Sequence, residues 1–140
     1  MPTKRTSEHL RGARPETLAV HADRHLNETS SVAPPIYQTS TFRAESAEEF
    51  VERAGGVRND QFYTRHGNPT FTQTEAVIAA LEGAEAALLT ASGMGALAAC
   101  VLTFVHQGAH VVAQQHQYAG TTTLLRDLLP RLGIQTTYVD

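Results

Sequence analysis

The sequence has 140 residues, of which 41% are hydrophobic and 18% are charged, and its formal net charge is −3. This composition is typical of a folded globular protein, and the small, scattered charge disfavours nucleic acid or an anionic membrane as a partner. No stretch approaches the roughly 18 consecutive apolar residues of a membrane span, and residues 1–14 lack the apolar centre of a secretory signal. We therefore expect a cytoplasmic protein.

The first 60 residues have little sustained periodicity, and we expect them to form an N-terminal arm. Proline biases the residue before it towards extended geometry, so the prolines of segment 33–36 predict an extended stretch over residues 31–42. A helix is predicted over residues 46–53, because Ser46 can cap it and Glu49 occupies the third helical position of a capping box. An arm this poor in regular structure is expected to pack on the rest of its chain or on a second subunit.

From residue 68 onwards the sequence alternates between helical and extended patterns. The predicted elements are a helix that starts at Asn68-Pro69 and stops at Gly83, a strand at 86–90, a helix at 94–105, a strand at 110–113, a helix at 120–132 and a strand at 134–139. Val77, Ile78 and Leu81 form the predicted apolar face of the first of these helices. This order implies an α/β fold with a mostly parallel sheet, right-handed crossovers and helices on both faces. We divide the chain into the arm, residues 1–60, and the first part of a larger domain, residues 61–140, whose sheet is expected to be truncated.

The turn between the predicted strand at 86–90 and the helix after it is rich in small residues and predicts an anion site. The first N–H groups of a helix have no partner inside it, and together with the helix dipole they favour an anion such as phosphate. Gly93 and Gly95 allow a ligand to approach the backbone, and Ser92 can cap the helix or donate its hydroxyl. An ordinary tight turn with a serine cap accounts for the same residues equally well.

Residues 93–98 also match the G-x-G-x-x-A fingerprint of dinucleotide-binding proteins. That interpretation requires an acidic residue roughly 20 positions later, at the end of the second strand. The second predicted strand leads instead into Gln114, Gln115 and His116. A nicotinamide cofactor is therefore disfavoured.

Three further side chains are candidates for ligand binding. Arg65 offers a fork of donors suited to phosphate and Tyr63 offers one more, although a solvated arginine beside a half-buried tyrosine is the alternative. Tyr118 follows the second strand, so it could stack on an aromatic cofactor and transfer a proton, or it could simply lie at a loop edge. The histidines show no metal-ligand spacing, and the single cysteine, Cys100, is expected to be a small buried core residue.

Four segments, 33–42, 63–70, 91–96 and Tyr118, together resemble the transsulfuration (Cys/Met metabolism) family of fold-type I enzymes that depend on pyridoxal 5'-phosphate. That family includes cystathionine γ-synthase, cystathionine γ-lyase, methionine γ-lyase and O-acetylhomoserine sulfhydrylase. The segments follow the family's order and approximate spacing, and the resemblance covers about residues 16–140. It implies pyridoxal 5'-phosphate as the cofactor and an amino acid as the substrate.

The resemblance implies roles for residues on both sides of the predicted anion turn. Gly93 and Met94 would bind the cofactor phosphate through their backbone N–H groups, with Ser92 as a further cofactor-binding residue. Tyr118 would stack on the pyridine ring and help to move protons, which makes it the candidate catalytic residue.

The resemblance also implies an assembly, because Tyr63 and Arg65 would reach the phosphate of the neighbouring subunit's cofactor. Each active site would then be shared between two subunits. Members of the family are usually homotetramers built as dimers of dimers, and the arm would pack on the partner subunit.

The family's chemistry further requires a lysine that forms a Schiff base with the cofactor and an aspartate that pairs with the pyridine nitrogen. Both are expected beyond residue 140, and the lysine present, Lys4, stands in the basic N-terminus, so the isolated chain is expected to be inactive. The full enzyme would catalyse β- or γ-elimination, or γ-replacement, on cystathionine, methionine, cysteine or an O-acylated homoserine. Gly120 stands where typical methionine γ-lyases carry cysteine, which disfavours that activity. Another fold-type I enzyme, such as an aminotransferase relative, and a non-catalytic fragment are the alternatives.

Overall fold

The computed structural model describes Leu10 and residues 12–140, so Lys4 lies outside the described residues. The chain divides into two compact units, of which the first ends at Leu89 and the second begins at Thr90. The first unit contains α1 (Pro15–His21), a 3-10 turn (Arg24–Leu26), α2 (Ala47–Gly55) and α3 (Pro69–Glu82). The second contains α4 (Gly93–Phe104), β1 (His110–Gln114), α5 (Ala119–Thr123), a π-helical turn (Leu124–Leu128), a 3-10 turn (Leu129–Leu132) and β2 (Gln135–Val139). None of the helices in this described part is long and apolar enough to cross a membrane.

The arm contains one helix that the sequence patterns did not predict. Helix α1 begins with Pro15, carries Glu16 in its first turn and ends at His21, as the helix dipole favours. It packs against α3. Residues 31–42, predicted to be extended, contain no helix and form one antiparallel bridge, at Thr41.

Helix α2 confirms the predicted cap, because the Ser46 side chain accepts a hydrogen bond from the Glu49 N–H at 3.1 Å. The return contact of the capping box differs by one residue: the Glu49 carboxylate accepts from the Glu45 N–H at 2.6 Å. Glu49 also pairs with Arg53 at 2.6 Å, four residues later. The helix start is therefore held by a wider set of contacts than a strict capping box.

Helix α3 starts and stops where the sequence predicts. Asn68 caps it by accepting from the Thr70 N–H at 2.9 Å, and Gly83 ends it in the left-handed region at φ 62°. The predicted apolar face is wrong, because Ile78 and Leu81 are exposed. The buried residues of this helix are Gln73 and Ala79. Because α3 is rich in alanine, the spacing of its large residues did not identify the side that packs.

The predicted strand at residues 86–90 is not formed, and Leu88 and Leu89 are exposed within this segment. A strand needs a partner edge, and the sheet of the described residues consists of β1 and β2 alone. The Leu89 N–H donates instead to the Glu75 carboxylate at 2.7 Å, and that carboxylate also binds Arg58 at 2.8 Å. The apolar composition of residues 86–90 predicts an extended segment, but the described residues contain no strand that pairs with it.

The second unit is a small α/β structure, as predicted. β1 and β2 pair in parallel, with His110 opposite Gln135. Leu125, Leu129 and Ile134 form its buried core. In both strands exposed and half-buried residues alternate, so one face of the sheet packs on this core.

The predicted helix at 120–132 is interrupted. After α5 the chain forms a π-helical turn and then a 3-10 turn that contains Pro130. Proline has no N–H and its ring clashes with the preceding turn, so a regular α-helix cannot continue through it. The Leu125 carbonyl accepts instead from the Thr136 hydroxyl at 3.4 Å. The segment ends as predicted at Gly133, which lies in the left-handed region at φ 72°.

Cys100 is exposed, so the prediction of a buried core cysteine is wrong. Val101 in α4 and Val105, the residue that caps the end of the helix, pack against the core. Cys100 precedes Val101 by one position, which turns it about 100° away from that side of the helix.

Candidate functional site

The start of α4 leaves two backbone donors free. Ser92 is the N-cap in an extended conformation, and its side-chain oxygen accepts from the Gly95 N–H at 3.0 Å. The Ser92 carbonyl accepts from the Ala96 N–H at 3.0 Å, which is the first bond of the helix. The N–H groups of Gly93 and Met94 have no acceptor among the described residues, as is usual for the first turn of a helix.

Gly93, at the first position of α4, is exposed. A side chain on Gly93 would meet no atom within 4 Å, whereas one on Gly95 would meet the Ser92 side-chain oxygen at 3.2 Å. The Thr90 hydroxyl donates to the Ser92 carbonyl at 2.8 Å and braces the turn. The Ser92 oxygen accepts one hydrogen bond and keeps its own O–H for a ligand. The cap and the donor role expected of Ser92 are therefore compatible.

Tyr118 lies in the same unit, between β1 and α5. Its carbonyl accepts from the Thr122 N–H at 3.1 Å, and 71% of the residue is exposed. The position that a Gly120 side chain would take is 2.7 Å from the Tyr118 ring and 2.9 Å from the Met94 sulfur. The side chains of Met94 and Tyr118 therefore both lie close to Gly120. The second unit contains four of the six predicted site residues: Ser92, Gly93, Met94 and Tyr118.

Tyr63 and Arg65, the other two predicted site residues, lie together in the first unit. The Arg65 guanidinium carbon is 5.0 Å from the centre of the Tyr63 ring, which is a cation–π contact. Arg65 is exposed and forms no ion pair with any described residue. The Tyr63 carbonyl accepts from the N–H groups of His66 and Gly67 at 2.7 and 3.3 Å, so the two side chains stand on a tight turn.

The arm holds this turn through Asn68, a residue that the sequence identified only as a helix cap. Asn68 is buried, and its amide nitrogen donates to the Tyr37 carbonyl at 3.1 Å and to the Thr64 hydroxyl at 3.2 Å. Thr41 and Tyr63 form the antiparallel bridge beside it. The Asn-Pro pair predicts a cap, but no local signal predicts that the same amide binds a carbonyl 31 residues away.

The described residues offer little that competes with this site. No three histidine, cysteine, aspartate or glutamate side chains in this part of the chain are grouped as metal ligands. A cavity of about 240 Å³ in the first unit, lined by Pro35, Gln73 and Val77 among others, includes none of the predicted site residues.

An α/β unit whose helix start presents unpaired N–H groups belongs to the large class of proteins that can hold a phosphate at such a turn. Comparison with known proteins gives the family: residues 16–140 match the model described as "Cys/Met metabolism PLP-dependent enzyme", and the chain belongs to that family. The predicted resemblance and the α/β fold class are thereby confirmed.

Two curated relatives illustrate the range of the family. The chain is 45% identical over 124 residues to an L-methionine gamma-lyase of Fusobacterium nucleatum subsp. polymorphum, covering 89% of this chain and 31% of the relative. It is 38% identical to an O-acetyl-L-homoserine sulfhydrylase of Leptospira meyeri, covering 93% of this chain and 30% of the relative. The chain therefore spans about a third of the length of the curated relatives that it matches.

Solved structures agree with these matches. The structure of metB from Corynebacterium glutamicum superposes with a TM-score of 0.78 at 30% identity, covering 93% of this chain and 32% of that chain. That of metY from Campylobacter jejuni, which contains N'-pyridoxyl-lysine-5'-monophosphate, gives a TM-score of 0.77 at 28% identity, covering 91% and 31%.

Proposed function

We propose that this chain is the N-terminal segment of a pyridoxal-phosphate enzyme of sulfur amino acid metabolism, in which it contributes the phosphate-binding turn. The observation that carries the proposal is the start of α4, where the Gly93 and Met94 N–H groups have no acceptor among the described residues. Such a helix start suits a phosphate group. The Ser92 hydroxyl adds a third donor beside them.

Tyr118 is the proposed catalytic residue. The cofactor, when bound, supplies the electron sink for reactions at the α, β and γ carbons of an amino acid. The exposed Tyr118 ring offers a flat face for the pyridine, and its phenol can donate or accept a proton at the leaving group. Its meeting with Met94 at Gly120 keeps the ring near the first turn of α4.

Tyr63 and Arg65 are proposed to act on the phosphate bound by a neighbouring subunit. The cation–π contact orients the guanidinium of Arg65 without consuming its hydrogen-bond donors, which are free to bind a phosphate. We propose a cytoplasmic homotetramer, a dimer of dimers, in which the arm of residues 1–60 packs on the partner and residues 61–140 begin the cofactor-binding domain.

The reaction is proposed to be elimination or replacement at the β or γ carbon. The named relatives include a lyase and a sulfhydrylase, so the substrate class is a sulfur amino acid or an O-acylated homoserine. We also propose that the isolated chain has no turnover, because Lys4, in the basic N-terminus, is the one lysine of the 140 residues and is unsuited to bind the cofactor covalently.

The test compares cofactor binding and turnover in the full-length protein that carries this chain. Arg65→Ala should weaken retention of pyridoxal 5'-phosphate by roughly 10-fold or more, because it removes charge-assisted hydrogen bonds. Arg43→Ala, which replaces an exposed arginine paired with Glu45, is the matched control and should retain normal affinity. Tyr118→Phe should slow turnover more than it weakens cofactor binding.

Mixing the two variants tests whether sites are shared. If Arg65 and Tyr118 serve one site from different subunits, then assemblies of Arg65→Ala and Tyr118→Phe subunits contain some sites with both residues intact, and activity returns. Unchanged cofactor affinity in Arg65→Ala removes the phosphate role. An unmodified protein that takes up no pyridoxal 5'-phosphate overturns the proposed function.

A further inference from the structure

The arm and helix α3 form a partly open cavity of about 240 Å³ in the first unit. Pro34 and Pro35 belong to its wall on the side of the arm, and Gln73 and Val77, about one helical turn apart, belong to its wall on the side of α3. Asp23, which lies just after α1, is also part of the lining. The volume is below the roughly 300 Å³ at which pockets for drug-sized ligands begin, so only a small ligand fits.

Gln73 is a buried polar side chain without a hydrogen-bond partner. Only 6% of the residue is exposed, and its amide forms no hydrogen bond with any described residue. The amide is not one of the fully buried unpaired groups of the described residues, which are on Gln117 and Tyr138, so it keeps contact with solvent. Because Gln73 lines the cavity, the cavity is where its amide can find the partner that a buried amide requires.

Asp23 gives the cavity a negative charge. It is half-buried and forms no ion pair with a described residue. None of the described residues that line the cavity is a lysine or an arginine, so no cation in this lining balances the carboxylate. Thr74, another lining residue, donates its O–H to the Thr70 carbonyl at 2.8 Å and keeps its oxygen as an acceptor. The polar part of the lining is therefore rich in hydrogen-bond acceptors, and proline, valine and isoleucine side chains make the rest apolar.

We propose that this cavity binds a small alkylammonium ion, which is a protonated primary amine on a short apolar chain without a carboxylate. The ammonium group supplies three N–H donors for acceptors such as the Asp23 carboxylate and the Gln73 carbonyl, and the alkyl chain packs on the apolar wall. An amino acid fits poorly, because its own carboxylate is repelled by Asp23. Because the ligand contacts both the arm and α3, its binding stabilises the packing of one on the other.

Isoleucine methyl groups report whether the cavity is occupied. Ile36 and Ile78 both line it, so ¹³C labelling of isoleucine methyl groups in the full-length protein that carries this chain gives two local signals, which Ile36→Val and Ile78→Val assign. Titration with n-butylammonium chloride should shift both signals with a dissociation constant of about 1 mM, as expected of so small a ligand. The neutral 1-butanol should bind roughly 10-fold more weakly, and the anion butyrate should leave both signals unchanged.

Two variants test the polar residues of the cavity. Asp23→Asn keeps the shape of the side chain and removes its charge, so it should weaken the binding of n-butylammonium roughly 10-fold and leave that of 1-butanol nearly unchanged. Gln73→Leu removes the amide and should weaken the binding roughly 3- to 10-fold. Glu28→Gln is the matched control, because Glu28 is exposed and does not line the cavity, and it should retain normal affinity. Denaturant unfolding of each variant shows that it is folded.

The outcomes separate this inference from the proposed function. Signals of Ile36 and Ile78 that do not respond to n-butylammonium overturn the site, including the case in which a side chain from the rest of the protein already fills the cavity. Equal affinity for n-butylammonium and 1-butanol, or normal affinity in Asp23→Asn, overturns the recognition of an ammonium group. The cavity includes none of the residues proposed to hold pyridoxal 5'-phosphate, so failure to bind that cofactor refutes the proposed function and leaves the amine site to its own test.

Discussion

Replacing Asn68 by alanine tests how the arm holds the turn that carries Tyr63. The Asn68 side chain is almost fully buried, with 1% of the residue exposed. Its oxygen accepts from the Thr70 N–H at 2.9 Å, and its nitrogen donates to the Tyr37 carbonyl at 3.1 Å and the Thr64 hydroxyl at 3.2 Å. The substitution removes all of these hydrogen bonds at once.

The expected loss has two parts. Removing the cap of α3 costs about 1 kcal/mol. The Tyr37 carbonyl is half-buried, and the loss of its donor costs about 0.5–1.5 kcal/mol more. We therefore expect Asn68→Ala to lower the free energy of unfolding by about 1.5–2.5 kcal/mol. Ser46→Ala removes only the exposed cap of α2, so it should cost about 1 kcal/mol and serves as the matched control.

Two measurements test the expected effect of Asn68→Ala. Denaturant unfolding gives the total loss, and amide hydrogen exchange gives its location. The Thr70 amide loses its acceptor directly, and the Tyr37 amide, which donates to the Thr70 hydroxyl at 2.9 Å, should exchange faster as the arm loosens. If Asn68→Ala costs no more than Ser46→Ala and the Tyr37 amide stays protected, then Asn68 does not tie the arm to the turn.

Two further predictions concern the rest of each unit. Leu129 is fully buried in the core of the second unit, so Leu129→Ala should lower the free energy of unfolding by about 2–5 kcal/mol. The control is Leu128→Ala, because Leu128 is exposed. An equal loss of stability in both variants would contradict the assignment of Leu129 to the core. The pKa of Glu49 is lowered, first by the hydrogen bond from the Glu45 N–H and also by Arg53. The ionised Glu49 carboxylate therefore stabilises the start of α2 at pH values above the ordinary glutamate pKa. This stabilisation is lost as the pH falls through the lowered pKa. A pH series of amide exchange at Glu45 should show this loosening in the acid range and much less of it in Glu49→Gln, where residue 49 has no carboxylate to titrate.

Local signals predicted the parts of the fold that local contacts form. The caps at Ser46, Asn68 and Ser92 were predicted because each side chain binds a backbone N–H only two or three residues away. The stops at Gly83 and Gly133 were predicted because a left-handed backbone favours glycine.

Most of the errors have the opposite character, because they depend on partners distant in sequence; the exception is the interrupted helix at 120–132, where Pro130 is a local signal. Residues 86–90 lack a strand to pair with, and the exposure of Cys100 depends on which side of α4 meets Leu125 and Leu129. Gly120 was interpreted from the resemblance alone, since no sequence pattern reveals that the side chains of Met94 and Tyr118 both lie close to it. Burial and pairing of this kind are fixed by tertiary contacts rather than by propensity.

The distribution of cationic residues supports the proposed role of Arg65 at the phosphate. No lysine or arginine occurs between Arg65 and Arg126, so the start of α4 offers a phosphate neutral donors and a helix dipole but no nearby cation in its own sequence segment. A phosphate monoester carries close to two negative charges at neutral pH, and a helix start supplies only about half of one positive charge. The remaining charge must come from elsewhere, and Arg65, exposed and without an ion pair among the described residues, is a suitable source. For this reason we expect cofactor affinity to respond more strongly to the charge of Arg65 than to any single hydroxyl at the turn.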